Sequence, residues 1–354
     1  MSKWLKLAAI ITVLAILSGS MCAMAAKSAK KPSKPAAKKP AAQTPHIVQG
    51  TTQLKGEYAE IGKQYTLGKE FPMNIILNSA EYTVDQVCCG SYCYSPESEQ
   101  KFLLIHYTLH NPQPREAAVD WASFKITAVD ANNANLESID NVGIKANKST
   151  LNISMKPAQK MDVYTVIPVP AKGDVPKLIF KSGDDLVLRY NLKGKIKPLA
   201  APFIDPKDKT GIIALAQVPA EVGTYYPLTE LDVKFESATY SQKSTSSEDS
   251  EESSEESTRV LDIRLTAKND SPNPLDIDVS TFTPSLRDAD GNEIEWQQEM
   301  YQDKRDVALE SKLEPTKEIK IRFRYVVPID VEAKTFSIQQ GLSRIYVYDL
   351  SSVK

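Results

Sequence analysis

The chain has 354 residues, of which 42% are hydrophobic and 25% charged, enough for two or three folded domains of ordinary composition. Its formal net charge of −2 gives no reason to expect nucleic acid as a general partner. Any specific chemistry must therefore come from particular segments of the chain.

The first 25 residues have the pattern of a secretory signal peptide. Lys3 and Lys6 supply a positively charged start. The apolar run that follows, residues 7–17, is too short to span a bilayer comfortably. Residues 23–25 (Ala-Met-Ala) form a small-x-small cleavage pattern. We expect cleavage after this triplet and a secreted, periplasmic or cell-surface location.

Two alternatives to this cleavage are open. A lipoprotein signal would use Cys22 as the lipidated residue, but Met21 stands just before it, where a small residue is expected. An uncleaved segment would instead act as a membrane anchor. Cleavage is the favoured interpretation.

Residues 26–56 form a basic tail of low sequence complexity that is rich in Lys, Pro and Ala. Between residues 27 and 45 it carries no acid and six lysines: Lys27, Lys30, Lys31, Lys34, Lys38 and Lys39. Such a segment cannot bury enough apolar surface to fold, and its prolines and like charges favour an extended chain. We expect a disordered tail. It either contacts an anionic envelope surface, at roughly 1 kcal/mol per basic residue, or serves as a solubilising spacer.

Residues 57–192 are predicted to form a first folded unit made of β-strands. Apolar and polar residues alternate in several runs, and turn residues separate these runs. The alternating positions are Met73, Ile75, Leu77; Leu103, Ile105, Tyr107, Leu109; Met161, Val163, Thr165, Ile167, Val169; Leu186, Leu188 and Tyr190. Short strands separated by turns are typical of an all-β sandwich.

The strand at residues 101–111 (KFLLIHYTLHN) carries a definite prediction about its two faces. Odd-numbered residues are expected to face the core, because side chains alternate along a strand. His106, Thr108 and His110 then face outward. Phe102 and Leu104 also face outward, so we expect them to pack under a loop or against a second unit.

Three cysteines lie close together in the first unit, at Cys88, Cys89 and Cys93. In an exported protein, clustered cysteines usually indicate a disulfide. Cys93 bonded to either Cys88 or Cys89 is the expected bridge, because a bond between Cys88 and Cys89 would strain the peptide between them. One thiol is then left over or pairs between chains.

The alternatives for the cysteine cluster are a metal site and a redox pair. Three thiolates and a fourth ligand would suit Zn²⁺ or Cu(I), but the spacing is not CxxC. His106 and His110 cannot share one metal, because four residues of strand span about 13 Å. The structural disulfide is the favoured interpretation.

Residues 193–217 break the strand pattern and are predicted to be a partly ordered linker, with three prolines and a charged run. Residues 218–354 are predicted to form a second folded unit, because the first is repeated at an offset of 158 residues. Residues 259–269 (RVLDIRLTAKN) match residues 101–111, and the register holds without a gap to the last strand. Duplication of one domain explains such a match.

The segment that replaces the cysteine cluster in the second unit, residues 241–258, is acidic and of low complexity. Its acids are Glu248, Asp249, Glu251, Glu252, Glu255 and Glu256. We expect a disordered loop that is a candidate for interaction, and a solvated loop without a partner is the alternative. Pairing with the six tail lysines, within or between molecules, would be weak and salt-sensitive.

The sequence has none of the motifs that would indicate an enzyme or a cofactor. No G-x-S-x-G, H-E-x-x-H, P-loop or G-x-G-x-x-G pattern occurs, and there are only three histidines. We therefore expect no catalytic activity and assign no cofactor.

Both units resemble bacterial secreted immunoglobulin-like domains of unknown function, of the immunoprotective-extracellular type. The shared features are the AEIG and AEVG starts, strands that end at Asn111 and Asn269, hairpins in VDANNANLE and DADGNEIEW, and Val-Pro pairs at the end of a late strand. The late turns KPAQK and EPTKE lack the glycine of the family pattern. The resemblance implies an immunoglobulin-like sandwich outside the cell and no known activity.

The sequence thus predicts an all-β protein with two tandem immunoglobulin-like β-sandwiches behind a signal peptide and a basic tail. The favoured function is non-catalytic binding or scaffolding in the cell envelope, with a protein or glycan as partner and no nucleic acid. The alternatives are metal or redox handling by Cys88, Cys89 and Cys93, and a spacer that only provides reach.

Overall fold

A computed structural model describes residues 58–183, 186–242 and 258–352. The predicted signal peptide, the basic tail and the six acids of residues 248–256 lie outside the described residues. Among the described residues, no helix has the length and apolar character that crossing a membrane requires. The described residues belong to one compact unit.

Thirteen strands precede residue 192. They are β1 (Gln64–Leu67), β2 (Met73–Thr83), β3 (Val87–Cys89), β4 (Tyr92–Tyr94), β5 (Gln100–His110), β6 (Ala117–Asp120), β7 (Lys125–Val129), β8 (Asn135–Glu137), β9 (Gly143–Ile144), β10 (Asn152–Met155), β11 (Lys160–Pro170), β12 (Lys177–Ser182) and β13 (Leu186–Asn191).

Twelve strands and one short 3₁₀ helix (Val279–Thr281) follow residue 216. The strands are β14 (Gln217–Ala220), β15 (Tyr225–Pro227), β16 (Asp232–Gln242), β17 (Thr258–Lys268), β18 (Leu275–Ile277), β19 (Thr283–Asp288), β20 (Glu293–Ile294), β21 (Met300–Gln302), β22 (Ser311–Leu313), β23 (Glu318–Pro328), β24 (Ala333–Gln339) and β25 (Ile345–Asp349).

The first group of strands forms sandwich 1. One sheet has the order β1-β2-β5-β11-β9 and the other has the order β13-β12-β7-β8. The sheets face each other across one apolar core, in which Tyr107 of β5 meets Phe180 of β12 with ring centroids 5.3 Å apart. A sandwich forms because each sheet has one apolar face that must be removed from water.

The second group forms sandwich 2 in the same way. Its sheets have the orders β15-β16-β17-β23-β21 and β14-β25-β24-β19-β20, and a separate core lies between them. The first core extends to Ala214 and the second begins at Val218. The predicted fold class, all-β with two tandem immunoglobulin-like sandwiches, is confirmed for the described residues; the predicted domain limits stay predictions.

The pairing of the strands repeats at the offset seen in the sequence. The β2–β5 ladder has an irregularity between Leu77 and Ser79, and the β16–β17 ladder has one between Phe235 and Ser237, which is 158 residues later. Strands β5 and β17, and likewise β11 and β23, begin and end at positions 158 residues apart. The two sandwiches therefore share one register through their central sheet.

The predicted faces of β5 are correct. Odd-numbered residues from 101 to 109 are buried, whereas His106, Thr108 and His110 are half-buried on the other face. The outward Phe102 is also buried. Among the inward residues is a charged one, Lys101, which has no exposed surface.

A buried polar cap ends the long strand of each sandwich. The side-chain amide of Asn111 donates to the carbonyl oxygens of Arg115 (2.9 Å), Met155 (2.9 Å) and Lys156 (3.2 Å), and its oxygen accepts from Gln113 N. Asn269 makes the equivalent bonds in sandwich 2. Both sequence copies end this strand with Asn because the amide satisfies backbone groups that the turn leaves unpaired.

We expect Asn111→Ala to lower the free energy of unfolding by about 2–4 kcal/mol, because it leaves buried carbonyl groups without donors. Denaturant unfolding of the chain from residue 26 onward measures the change. Asn78→Ala is the control, since Asn78 is exposed and makes one bond to Thr108. Equal effects of the two substitutions would contradict the capping role.

Candidate functional site

The three clustered cysteines lie on a small hairpin, β3–β4, here called the cysteine hairpin. Its two-residue turn is Gly90-Ser91, and Gly90 has φ +65°, a conformation that side chains disfavour. Cys88 and Cys93 face each other across the two strands and form a disulfide. The predicted disulfide is therefore present, and its partners are Cys88 and Cys93.

The cysteine hairpin is bonded to the rest of sandwich 1 through its backbone. The Tyr164 hydroxyl donates to Cys88 O, and Gly90 N donates to Lys148 O at 2.6 Å. Asn141 and Thr150 both donate to Cys89 O, at 3.3 and 3.2 Å. The hairpin is a packed part of the sandwich because its inner carbonyl groups have protein donors.

Cys89 is the remaining thiol of the cluster, and it is buried. Burial raises the pKa of its thiol to about 11. The neutral thiol is a poor metal ligand and a poor nucleophile. With Cys88 and Cys93 bonded to each other, this arrangement does not supply the three thiolates that the metal interpretation needs.

The two histidines of β5 have separate partners. His106 Nε2 lies 3.1 Å from Glu81 Oε1, and His110 Nδ1 lies 3.0 Å from Asn74 Nδ2. Burial lowers the pKa of His110, and the nearby Lys160 lowers it further. Among the described residues, no group of His, Cys, Asp and Glu has the geometry of a metal site.

The linker, residues 193–217, lies along sandwich 1. Lys197 N donates to Ala80 O and Tyr82 N donates to Lys197 O, both at 3.0 Å, so this residue extends the sheet beside β2. The Lys197 ammonium pairs with Glu81 at 3.0 Å. Asp208 then accepts bonds from Ile212 N and Ile213 N. The linker is ordered by these bonds.

Lys101 joins the linker to the core of sandwich 1. Its ammonium donates to the carbonyl oxygens of Ala171 (3.1 Å), Gly173 (2.7 Å) and Ile212 of the linker, and it lies 4.2 Å from the centre of the Tyr82 ring. Burial lowers the pKa of Lys101 to about 8, against the opposing effect of Asp174. A buried cation is tolerated here because all its donors are directed at oxygen atoms or an aromatic face.

Arg344 joins sandwich 2 to the linker and to sandwich 1. The residue is 2% exposed. Its guanidinium donates to the carbonyl oxygens of Leu215 (3.0 Å), Glu97 (3.5 Å) and Gln100. Burial lowers the pKa of Arg344 to about 10. One side chain thus connects three parts of the chain at the place where the sandwiches meet, here called the junction.

The outer side of the cysteine hairpin also contributes to the junction. Gln86 and Ser95, which flank the hairpin, both donate to Thr229 O of sandwich 2, the former at 2.9 Å. Asn273 donates to Ser91 O at 2.9 Å. The segment that the sequence marks as a candidate site therefore holds the two sandwiches together.

Two carboxyl groups of sandwich 2 lie at the junction. Burial raises the pKa of Asp232 from 3.8 to about 7, and the carboxyl of Asp270 and the charge of Asp85 in sandwich 1 raise it further. Asp270 has a lowered pKa, because Asp232 and Lys268 donate to it. The Asp270 carboxylate lies 2.6 Å from the Lys268 ammonium. The pair can therefore hold a proton near neutral pH.

A second candidate surface lies on the outer face of β17, β21 and β23, and is here called the arginine face. It consists of Asp262, Arg264, Tyr301, Asp303, Asp306, Arg322 and Arg324. Arg324 makes two bonds to Asp262, at 2.9 and 3.3 Å, and Arg264 bonds Asp303 at 3.1 Å. The guanidinium groups of Arg322 and Arg324 lie 5.3 and 5.2 Å from the Tyr301 ring centre.

Sequence patterns alone did not single out the buried cations or the arginine face. A usable signal was present in the differences between the two copies. Arg344 aligns with Leu186, Asp262 with Leu104, and Arg324 with Val166, so the second copy carries charge where the first is apolar. Such exchanges mark positions where the two copies meet different surroundings.

Comparisons with known proteins give limited information. No family model matches the chain, and no curated protein does. An uncharacterised β-sandwich protein from Clostridium difficile 630 is 19% identical, with a TM-score of 0.29, over 39% of this chain and 98% of that one. The secreted protein MPT63 from Mycobacterium tuberculosis is 9% identical, with a TM-score of 0.28, over 38% of this chain and 96% of that one. The fold is assigned from the strand order of this chain itself.

We expect Asp232→Asn to stabilise the chain above pH 7 by at least about 1.4 kcal/mol, the equivalent of one pKa unit. The raised pKa of Asp232 means that the folded chain binds a proton more tightly than the unfolded chain does. Its contribution is therefore present below about pH 4 and is lost as the pH rises towards 7.

Denaturant unfolding from pH 4 to pH 8 measures this effect. The wild-type chain should lose stability over this range relative to Asp232→Asn. Asp290→Asn is the control, because Asp290 is an exposed turn residue. Parallel pH profiles of wild type and Asp232→Asn would rule out a buried, protonated Asp232.

Proposed function

We propose that the chain is an exported, non-catalytic scaffolding and binding protein of the cell envelope. The observation that supports this most directly is the junction, where buried Arg344 bonds the linker and sandwich 1 at once. A scaffold needs fixed geometry between its binding surfaces, and flexible domain pairs lack such bonds. The cysteine hairpin supports the same proposal, since its contacts hold the sandwiches together.

The binding surface that we propose is the arginine face. Arginine presents several donors in a rigid plane, and a nearby aromatic ring adds an apolar contact, a combination found where proteins bind carboxylates or the rings of sugars. The side chains are held in place by mutual ion pairs, so little conformational entropy is lost on binding. An envelope protein or a glycan with acidic groups is the partner class that fits.

Two segments outside the described residues extend this proposal. The lysines from Lys27 to Lys39 would contact an anionic surface. The acids Glu248, Asp249, Glu251, Glu252, Glu255 and Glu256 would contribute a further interaction loop. Export itself is inferred from the signal pattern of residues 1–25 and from the disulfide, since disulfides persist in oxidising compartments.

We expect Arg344→Met to loosen the junction. Each lost hydrogen bond from a charged donor is worth about 1.5–3 kcal/mol, and three carbonyl acceptors lose their donor. Spin labels at Asn132→Cys and Asp290→Cys, one on each sandwich, report the distance between them by pulsed EPR. The distribution should be narrow in the parent chain and clearly broader with Arg344→Met.

Arg115→Met is the control for that experiment, because Arg115 is exposed on sandwich 1 and lies 6.0 Å from the Phe71 ring. An equally broad distribution in the parent chain would reject the rigid scaffold.

We expect Arg264→Gln to reduce partner retention by roughly tenfold, the effect of losing an interfacial anchor of about 1.4 kcal/mol. The chain from residue 26 onward serves as bait for detergent-solubilised native envelope, and retained proteins and glycans are quantified by mass spectrometry. Arg287→Gln, an exposed arginine on the opposite sheet, is the matched control.

A bait without residues 244–256 separates the arginine face from the acidic segment. Retention lost with Arg264→Gln but kept in this deletion assigns binding to the arginine face. Retention that depends only on the deletion assigns it to the acidic segment, and no retention by any bait argues against the binding proposal.

A further inference from the structure

The edge of β2 in sandwich 1 is covered by a specific segment. Lys197 of the linker forms a parallel bridge with Glu81, with backbone bonds to Ala80 O and Tyr82 N. Ala80 and Tyr82 are buried as a result. The sequence of the covering segment is Lys197-Pro198-Leu199-Ala200.

Sandwich 2 has the same edge without this cover. The equivalent residues of β16 are Ala238, Thr239 and Tyr240, which pair with β17 in the same register. Ala238 O and Tyr240 N therefore point away from β17, and no bond to either of them is found among the described residues outside the strand ladders. Ala238 and Tyr240 are half-buried, unlike their counterparts.

The neighbouring end of sandwich 2 is also open. Ile329, the counterpart of Ala171, is 61% exposed, whereas Ala171 is 3% exposed and accepts a bond from Ala214 N of the linker. Arg259, the counterpart of Lys101, lies over the Tyr240 ring at 3.8 Å and donates to Val331 O at 2.8 Å. Its Nε is buried and has no partner among the described residues. An open strand edge beside an apolar residue and an unpaired donor suits an added segment.

The chain itself contains a segment that matches the cover. Lys39-Pro40-Ala41-Ala42 of the basic tail lies 158 residues before Lys197-Pro198-Leu199-Ala200, the offset that relates the two sandwiches. The tail thus stands before sandwich 1 as the linker stands before sandwich 2. The linker covers the sandwich that precedes it, and in this sequence the tail is preceded by the predicted signal peptide. The matching open edge is the one on sandwich 2 of another copy.

Charge also favours this segment. The open end carries the exposed acids Asp330 and Glu332 next to Ile329. The tail carries lysines and no acids from residue 27 to residue 45. Opposite charges raise the rate of encounter and fix the orientation of the two partners.

We propose that residues 39–42 of one copy add to the Ala238–Tyr240 edge of sandwich 2 in a second copy, joining copies head to tail. Such a contact is heterologous, so it leaves an open edge on the first copy and allows a chain of copies to grow. The contact concerns copies of this chain only, and it stands or falls independently of the envelope ligand proposed above.

A cross-linking experiment tests the proposed pairing. Lys39 takes the position of Lys197, which lies opposite Glu81, so Lys39 is expected opposite Thr239. Two single variants of the chain from residue 26 onward, Lys39→Cys and Thr239→Cys, are mixed under mild oxidation. Disulfide-linked heterodimer is measured on non-reducing gels and located by mass spectrometry.

The matched control replaces Thr239→Cys with Val307→Cys, because Val307 is a well-exposed residue (55%) of the same sandwich. We expect at least about tenfold more heterodimer with Thr239→Cys, since docking raises the effective concentration of the two thiols. Cys89 contributes little background, because it is buried and its thiol pKa is raised to about 11. Thermal unfolding of each variant checks that it is folded.

Three outcomes would overturn the proposal. The first is an equal yield from Thr239→Cys and Val307→Cys. The second is a Lys39→Cys/Thr239→Cys double variant that cross-links only within one molecule, because the occupant would then be the tail of the same copy. The third is sedimentation velocity in which the chain from residue 26 onward stays monomeric at every concentration. Concentration-dependent association that is lost on deleting residues 26–45 is the supporting result.

Discussion

The structure depends on buried cations that bond backbone carbonyl groups where segments of the chain meet. Lys101 and Arg344 each occupy such a place, and each has a lowered pKa because burial disfavours its charge. Removing a charge from water is costly unless its donors are used, and here they bond to carbonyl oxygens of the linker and of sandwich 1. The two cations therefore fix the linker, and the linker fixes the position of sandwich 2.

The differences between the copies carry more information than the shared framework does. The same sheet face is covered by the cysteine hairpin near Tyr164 in sandwich 1 and carries the arginine face in sandwich 2. The same strand edge is covered by the linker at Ala80 and is open at Ala238. One sandwich is specialised for holding its neighbour, and the other presents charged side chains and an open edge.

The cysteine hairpin illustrates how a reactive-looking motif can serve architecture. Its disulfide joins Cys88 to Cys93, its third thiol is buried, and its outer residues bond to sandwich 2. A bridge that closes so short a loop adds little to global stability, since the stabilisation grows with loop length. Its effect is instead to keep the hairpin in the shape that the junction requires.

The sequence by itself determined the all-β class, the repeat with its offset of 158 residues, the inward face of β5 and the presence of a disulfide. These follow from local properties: side chains alternate along a strand, and clustered cysteines in an exported chain oxidise. Only the tertiary structure decided that Cys88 rather than Cys89 is the partner of Cys93, that Lys101 is buried, and that Arg344 binds Gln100. Those outcomes depend on contacts between residues far apart in the sequence, where the balance of desolvation and hydrogen bonding is set by partners that no local pattern specifies.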